Sequence, residues 1–127
     1  MKSIFFLLIV ATGLFMFNPS SEAPTKNIEA SWSKGDSKAY ARDQLYIWQE
    51  EQWSCLSRLW GKESAWNPKA YNTVRVMGKN AGGIPQLLGL DPKTPAPRQI
   101  ERGLDYIYYR YGTPCEAWQF FKKNGYH

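Results

Sequence analysis

The sequence predicts a mostly α-helical (α+β) domain that carries a small central lobe of loop or short β-strands. The first observation is a helical period near the C-terminus, where apolar residues recur at i, i+4, i+7, i+8 and i+11: Ile100, Leu104, Ile107, Tyr108 and Tyr111. The second is the stretch from residue 70 to residue 90, which has no clean period and contains four glycines. Helical segments on both sides of an irregular, glycine-rich segment indicate this class.

Two helices are predicted before the central lobe. Ser37 is a candidate N-cap for the first helix, which runs to about Trp48. The second helix carries four apolar residues at helical spacing: Trp53, Leu56, Leu59 and Trp60. It must end near Trp66, because Asn67 precedes Pro68 and a residue before proline is pushed out of the α region.

The segment after the lobe begins with residues 91–97, which contain three prolines and cannot form regular structure. The periodic helix that follows stops at Gly112. The motif T-P-C-E at residues 113–116 is a capping box with proline at the first helical position, so it predicts the start of a last helix. That helix runs through Phe121, and Gly125 can end it.

The N-terminus predicts export. Met1 and Lys2 are followed by an apolar run of 14 residues, from residue 4 to residue 17, and then by small polar residues. The run is shorter than the roughly 20 residues that a membrane-spanning helix needs. We therefore assign residues 1–23 to a signal peptide or N-terminal anchor, 24–36 to a flexible lead-in and 37–127 to the domain. The expected location is the periplasm, cell wall or exterior, with membrane attachment only through an uncleaved N-terminal segment.

The two cysteines, Cys55 and Cys115, predict one disulfide, because small exported domains commonly contain such cross-links. The bond would close a loop of about 60 residues, worth roughly 4 kcal/mol in a chain-entropy model. The alternative is two unconnected buried thiols.

Composition excludes several classes of site. The only histidine is His127, the final residue, so the sequence offers no Ser-His-Asp or Cys-His arrangement. Paired cysteines would leave too few ligands for zinc, and no phosphate-binding motif is present, so neither a metal nor a cofactor is expected. The net charge of +5 comes without a basic stripe, which argues against a nucleic-acid partner. Hydrolytic chemistry must then depend on carboxylates.

One carboxylate occupies an apolar position. Leu56, Leu59, Trp60 and Glu63 stand at i, i+3, i+4 and i+7, so Glu63 falls on the apolar stripe of its own helix. An apolar setting disfavours the charged form and raises the pKa of a glutamate, as a general acid requires. The alternative is that the helix end turns Glu63 to the surface, where it pairs with Arg58 or Lys62. Periodicity leaves both possibilities open.

Several motifs resemble the lytic transglycosylase family, whose members have a lysozyme-like fold. The E-S-A-W-N-P segment at residues 63–68 is similar to the family's E-S-x-W-N-P motif, and G-I-P-Q at residues 83–86 is similar to its G-[IL]-x-Q motif. Residues 99–112 resemble the family's later helix. Residues 53–56 and 113–118 resemble a compact exported branch in which the two cysteines are paired. The resemblance covers the chain from about Ala39 to the C-terminus.

The resemblance implies that Glu63 is the sole catalytic carboxylate. It would protonate the oxygen between N-acetylmuramic acid and N-acetylglucosamine, then act as a base while the muramoyl 6-hydroxyl attacks, which gives a 1,6-anhydro product. The residues that would bind substrate are Ser64, Gly83, Ile84, Gln86, Tyr106 and Trp118. For Trp118, core packing is the alternative, and for Gly83 the alternative is a tight turn. The implied partner is the peptidoglycan glycan strand, bound by a monomer.

Two other functions remain open at this level. A hydrolysing muramidase of the same fold would need a second carboxylate, for which Asp91 and Asp105 are available. A cell-wall-binding or inhibitor module would keep the cleft without turnover. Two positions also depart from the family pattern: Ala65 replaces a commoner glycine, and Gly82 stands where a larger residue is usual.

Overall fold

A computed structural model describes residues 31–45 and 50–126. The proposed signal peptide or anchor lies outside these residues, as do most of the predicted lead-in, Trp48 and His127. None of the helices in the described ranges is long and apolar enough to cross a membrane.

The described chain is mostly helical with one small sheet, which confirms the α+β class. Its four helices are α1 (Lys34–Gln44), α2 (Glu50–Ser64), α3 (Ala96–Arg110) and α4 (Pro114–Asn124). Helix α3 begins two residues inside the segment predicted to be irregular, because proline is tolerated in the first turn of a helix. The three strands are β1 (Tyr71–Val76), β2 (Lys79–Gly82) and β3 (Leu87–Leu88). They pair antiparallel in the order β1-β2-β3, so the predicted central lobe is a small sheet.

Helix α1 begins earlier than predicted. Ser33 is its N-cap: the Ser33 hydroxyl accepts a hydrogen bond from the Asp36 N–H at 3.0 Å, and the Asp36 carboxylate accepts one from the Ser33 N–H at 2.8 Å. Ser37 is therefore not the cap but a buried residue inside the helix. The prediction was wrong because the reciprocal Ser-x-x-Asp pair satisfies two N–H groups, whereas Ser37 alone could satisfy one.

The core forms where α2 meets α3 and α4. Leu56, Leu59 and Trp60 of α2 are buried, together with Ile100 and Ile107 of α3. Helix α2 ends at Ser64, as the Asn67-Pro68 pair predicts, and the chain then turns back so that Trp66 enters the same core. The Trp66 ring lies 5.3 Å from the Trp60 ring, and its indole N–H donates to the Ser57 carbonyl at 3.1 Å.

Helix α4 is bounded and attached as the sequence predicts, except that only the Thr113 half of the predicted capping box is formed. The Thr113 hydroxyl caps its N-terminus, Pro114 is its first residue, and Gly125 ends it in the left-handed conformation with φ 82°. A disulfide joins Cys115 at the start of α4 to Cys55 in α2, which confirms the predicted pairing. The Cys115 N–H also donates to the Gln52 side-chain oxygen at 2.9 Å, so the α2–α4 junction has both a covalent and a hydrogen-bonded link.

Candidate active site

Glu63 lies one residue before the end of α2 and is partly buried. Burial raises the pKa of its carboxyl from an ordinary 4.5 to about 7. Pairing with a cation such as Arg58 or Lys62 would shift the pKa in the opposite direction. Of the two alternatives that the sequence leaves open, the structure therefore favours the carboxyl in an apolar setting, which is protonated in a large fraction of molecules at neutral pH.

Ser64 connects the end of α2 to the G-I-P-Q segment. Its hydroxyl donates to the Ile84 carbonyl at 2.7 Å and lies 3.3 Å from the Trp60 carbonyl. Because a hydroxyl has one hydrogen to donate, the Ser64 donor is used within the protein. Ser64 thus attaches the end of α2, next to Glu63, to the turn that leads to Gln86. Its donor is not presented to a ligand.

The backbone directly after Glu63 and Ser64 is strained. Ala65 and Trp66 have φ values of 54° and 59°, in the left-handed region. For residues with a Cβ, this region costs roughly 1–2 kcal/mol per residue. A glycine at position 65 would occupy this region without that cost. Burial of Trp66 in the core offsets the cost, and the sharp reversal leaves Glu63 at the point where the helix meets a turn.

Gln99 of α3 organises the residues that face Glu63's helix end. It is fully buried, and its side-chain oxygen accepts from the Ile84 N–H at 2.8 Å. Its NH₂ group donates to the Pro68 and Thr94 carbonyls at 2.9 Å each. One side chain therefore holds together the turn after α2, the G-I-P-Q segment and the proline-rich loop. No local pattern in the sequence marks Gln99 for this role, because its partners lie up to 31 residues away.

Gly83 is required by the close approach of Gln99. Its φ is 75°, and a Cβ built on it would overlap the Gln99 side-chain oxygen and lie 2.7 Å from the Gln99 Cδ. The positive φ supports the tight-turn alternative for this glycine, and the Gln99 side chain occupies the space where a Cβ would lie. A Cβ at Gly82 would overlap the Leu90 carbonyl oxygen, so this position has no room for a larger residue.

We expect Gly83→Ala to destabilise the fold by about 2–4 kcal/mol, since it adds a left-handed alanine and breaks the Gln99–Ile84 hydrogen bond. Gly78→Ala is the matched control, because Gly78 has nearly the same φ, 76°, and nothing within 4 Å of a built Cβ. The control should lose only about 1 kcal/mol. Urea unfolding of both variants measures the difference, and equal losses would contradict the role of Gln99.

Ile84 does not bind substrate through its side chain. That side chain is 0% exposed and belongs to the core, while its N–H and carbonyl are bonded to Gln99 and Ser64. The burial therefore gives Ile84 a structural role, in which its side chain anchors the turn that leads to the partly exposed Gln86.

Gln86 and Tyr106, 20 residues apart in sequence, line one cavity of about 400 Å³. The Gln86 NH₂ group donates to the Gly83 and Ala70 carbonyls at 3.0 and 3.3 Å, so its side-chain oxygen is the atom left as an acceptor. The Tyr106 hydroxyl accepts from the Arg110 guanidinium at 2.6 Å. The other residues that line the cavity are mainly apolar: Val76, Met77, Leu87, Leu88, Arg110 and Tyr126.

Sequence reasoning missed the contribution of the β1–β2 hairpin to this cavity. Met77 is 85% exposed and adopts a φ of 53°, followed by Gly78 at 76°. Two successive positive φ values are typical of a tight hairpin turn, for which asparagine or aspartate before glycine is the usual choice. Gly78 is one of the four glycines from which the sequence predicts turns in this lobe, but no pattern in the sequence indicates that this turn borders a cavity with Gln86 and Tyr106.

Trp118 is not brought together with Gln86 and Tyr106 by its described contacts. It is half-buried on α4 and packs against the core, with its ring stacked on Phe121 at 5.8 Å and Lys122 over it at 5.5 Å. The core-packing alternative is therefore the one that the structure supports.

The structure thus provides a partly buried carboxyl at the end of α2, a turn that Ser64 and Gln99 hold by hydrogen bonds, and a cavity lined by Gln86 and Tyr106. Among the described residues, no group of three or more His, Cys, Asp or Glu side chains could hold a metal ion. In comparisons with known proteins, no family model, curated protein or solved structure matches the chain.

Proposed function

We propose that this protein is a lytic transglycosylase with a lysozyme-like fold, which cleaves the peptidoglycan glycan strand between N-acetylmuramic acid and N-acetylglucosamine. The observation that carries the proposal is Glu63, whose pKa of about 7 keeps a large fraction of the carboxyl protonated at neutral pH. The resemblance of residues 63–68 and 83–86 to the family's motifs supplies the substrate class.

In the proposed reaction, Glu63 gives its proton to the glycosidic oxygen as the bond to the muramoyl C1 breaks, so that N-acetylglucosamine leaves with a hydroxyl group. The muramoyl 6-hydroxyl then attacks C1, and the Glu63 carboxylate takes up the proton that this hydroxyl loses. The result is a 1,6-anhydro ring, no water is consumed, and Glu63 returns to its protonated form. One carboxyl can therefore serve both steps, whereas most glycosidases use two.

The cavity at Gln86 and Tyr106 suits a sugar ligand. Aromatic side chains with a polar group match the mixed apolar and hydroxyl-bearing faces of a sugar ring, and the Gln86 oxygen can accept from an N-acetyl N–H. The Ser64–Ile84 hydrogen bond connects this turn to the helix end that carries Glu63. The Cys55–Cys115 disulfide supports an extracytoplasmic substrate, because such bonds persist in oxidising compartments. A monomer of this size is sufficient for the proposed reaction.

Digestion of purified peptidoglycan, followed by mass spectrometry of the fragments, tests the proposal. Anhydro-muramoyl ends are expected. Reducing muramoyl ends would instead identify a hydrolysing muramidase, in which case Asp91 and Asp105 become the candidates for the second carboxylate. Both are exposed, and the Asp91 carboxylate accepts from the Lys93 N–H at 2.8 Å. Binding without any soluble product would identify a wall-binding module.

The pH dependence of cleavage follows from the same carboxyl. Because the protonated form of Glu63 starts the reaction, kcat/KM should fall about tenfold for each pH unit above about 7. Initial rates on soluble glycan fragments at constant ionic strength measure this profile. Binding of the inactive Glu63→Gln protein over the same pH range is the control and should not fall in parallel. A rate that stays constant up to pH 9 would contradict the assignment of Glu63 as the acid.

A further inference from the structure

A second depression adjoins the Gln86 cavity. Five residues of α3 at i, i+3, i+4, i+7 and i+8 share one helix face and, with Leu87, line an open depression of about 650 Å³: Arg102, Asp105, Tyr106, Tyr109 and Arg110. Leu87, Tyr106 and Arg110 line both spaces, so the two adjoin along these residues. The volume of the open depression, about 650 Å³, is within the range of about 300–1,000 Å³ that small-ligand sites occupy.

The depression presents both signs of charge. The Arg110 guanidinium lies against two aromatic rings, 5.2 Å from that of Tyr111 and 5.4 Å from that of Phe120, and it donates to the Tyr106 hydroxyl. Arg102 and Asp105 are exposed, and within the described part of the chain neither forms an ion pair. Two cations, one of them hydrogen-bonded to Tyr106, and one anion therefore line the same space.

Tyr109 adds an apolar surface to these charges. It is 88% exposed, although the core face of α3 is occupied by other residues, including Ile100 and Ile107. An aromatic residue with this exposure contributes little to the stability of the fold. Beside two arginines and an aspartate, it is suited to cover the apolar part of a zwitterionic ligand.

We infer that this depression binds the peptide stem of the muramoyl unit, a short peptide with free carboxylates and an amino group. Its carboxylates bind to Arg102 and Arg110, since guanidinium groups bind carboxylates through paired hydrogen bonds, and its ammonium group binds to Asp105. The inference rests on the proposed function, because this peptide is attached to the sugar next to the bond that is cut. Asp105 disfavours a purely anionic ligand such as a polyphosphate, and a neutral sugar would use none of the three charges.

The test compares two substrates with the same glycan chain: strands that carry their peptides and strands stripped by an amidase. The wild-type protein should cleave the peptide-bearing strand roughly tenfold faster, and Arg102→Ala should bring the ratio close to one. Arg58→Ala, which removes an exposed charge from α2, is the matched control and should keep the wild-type ratio. Equal wild-type rates on both strands overturn the inference and leave the proposed function standing. Cleavage of neither strand overturns both.

A second comparison tests the ammonium contact separately. Acetylation of the free amino groups removes their charge, so the wild-type protein should cleave acetylated strands several-fold more slowly than untreated ones. Asp105→Asn should cleave acetylated and untreated strands at equal rates. Wild-type rates that do not respond to acetylation, or an Asp105→Asn protein that remains sensitive to it, would overturn the assignment of Asp105.

Discussion

Replacement of Glu63 by glutamine is expected to lower the rate of peptidoglycan cleavage by on the order of 10³-fold, within the range that a general acid contributes. Glutamine has nearly the same shape as a protonated glutamate, but its amide cannot transfer a proton to the glycosidic oxygen or accept one from the 6-hydroxyl. A zymogram on purified wall and an initial-rate assay on soluble strands both measure the loss.

The same variant should be more stable than the wild-type protein at pH 8. The pKa of Glu63 is about 7 in the folded state, above its ordinary 4.5, so the folded state binds more protons between these values. The stability associated with the protonated form is fully present below about pH 4.5 and is lost as the pH rises through about 7. Glutamine remains uncharged throughout. With a discount for partial exposure, the expected gain at pH 8 is about 1–2 kcal/mol, and it should disappear near pH 4.

Glu51→Gln is the matched control for both measurements. Glu51 lies on the same helix as Glu63 but is exposed near the N-terminus of α2. This control should keep wild-type cleavage, with stability within about 0.5 kcal/mol of the wild type. Equal clearing of the wall by Glu63→Gln and wild-type protein would refute the catalytic role. A loss of activity accompanied by unfolding would indicate instead that Glu63 supports the fold.

The second large effect is expected from the Cys55–Cys115 disulfide. Its cysteines are 60 residues apart, for which the chain-entropy model gives a stabilisation of roughly 4 kcal/mol. Small domains have a free energy of unfolding of about 5–15 kcal/mol, so loss of the disulfide should remove a large fraction of it. The doubly substituted Cys55→Ala/Cys115→Ala protein should therefore unfold at a much lower urea concentration than the oxidised wild-type protein.

Reduction of the wild-type protein provides the control for this prediction. If the bond itself is responsible, wild-type protein in reductant should match the double-alanine variant, because both lack the constraint on the unfolded chain. The Cys115 N–H should still donate to Gln52, which holds the start of α4 in place without the bond. A decrease below about 1 kcal/mol would show that packing between α2 and α4 already supplies the stability assigned to the disulfide.

Much of the secondary structure follows from short-range patterns. The period of Ile100, Leu104 and Ile107 predicted α3, and Pro68 predicted where α2 ends, because these signals act over one or two helical turns. The cap at Thr113 was predicted for the same reason. The predicted start of α1 was wrong because Ser33 and Ser37 are both possible N-cap residues. Only the reciprocal hydrogen bonds between Ser33 and Asp36 distinguish them.

The sequence by itself determined the α+β class, limited the two cysteines to one possible intramolecular pairing and placed a carboxylate on the apolar stripe of α2. Tertiary structure left Glu63 partly buried, which raises the pKa of its carboxyl, and it placed Ile84 in the core. It also showed that Gly83 makes room for Gln99, 16 positions further along the chain. These outcomes depend on which side chains come into contact when the helices and loops pack. The sequence does not predict them, because contacts between distant segments produce no period and no local motif.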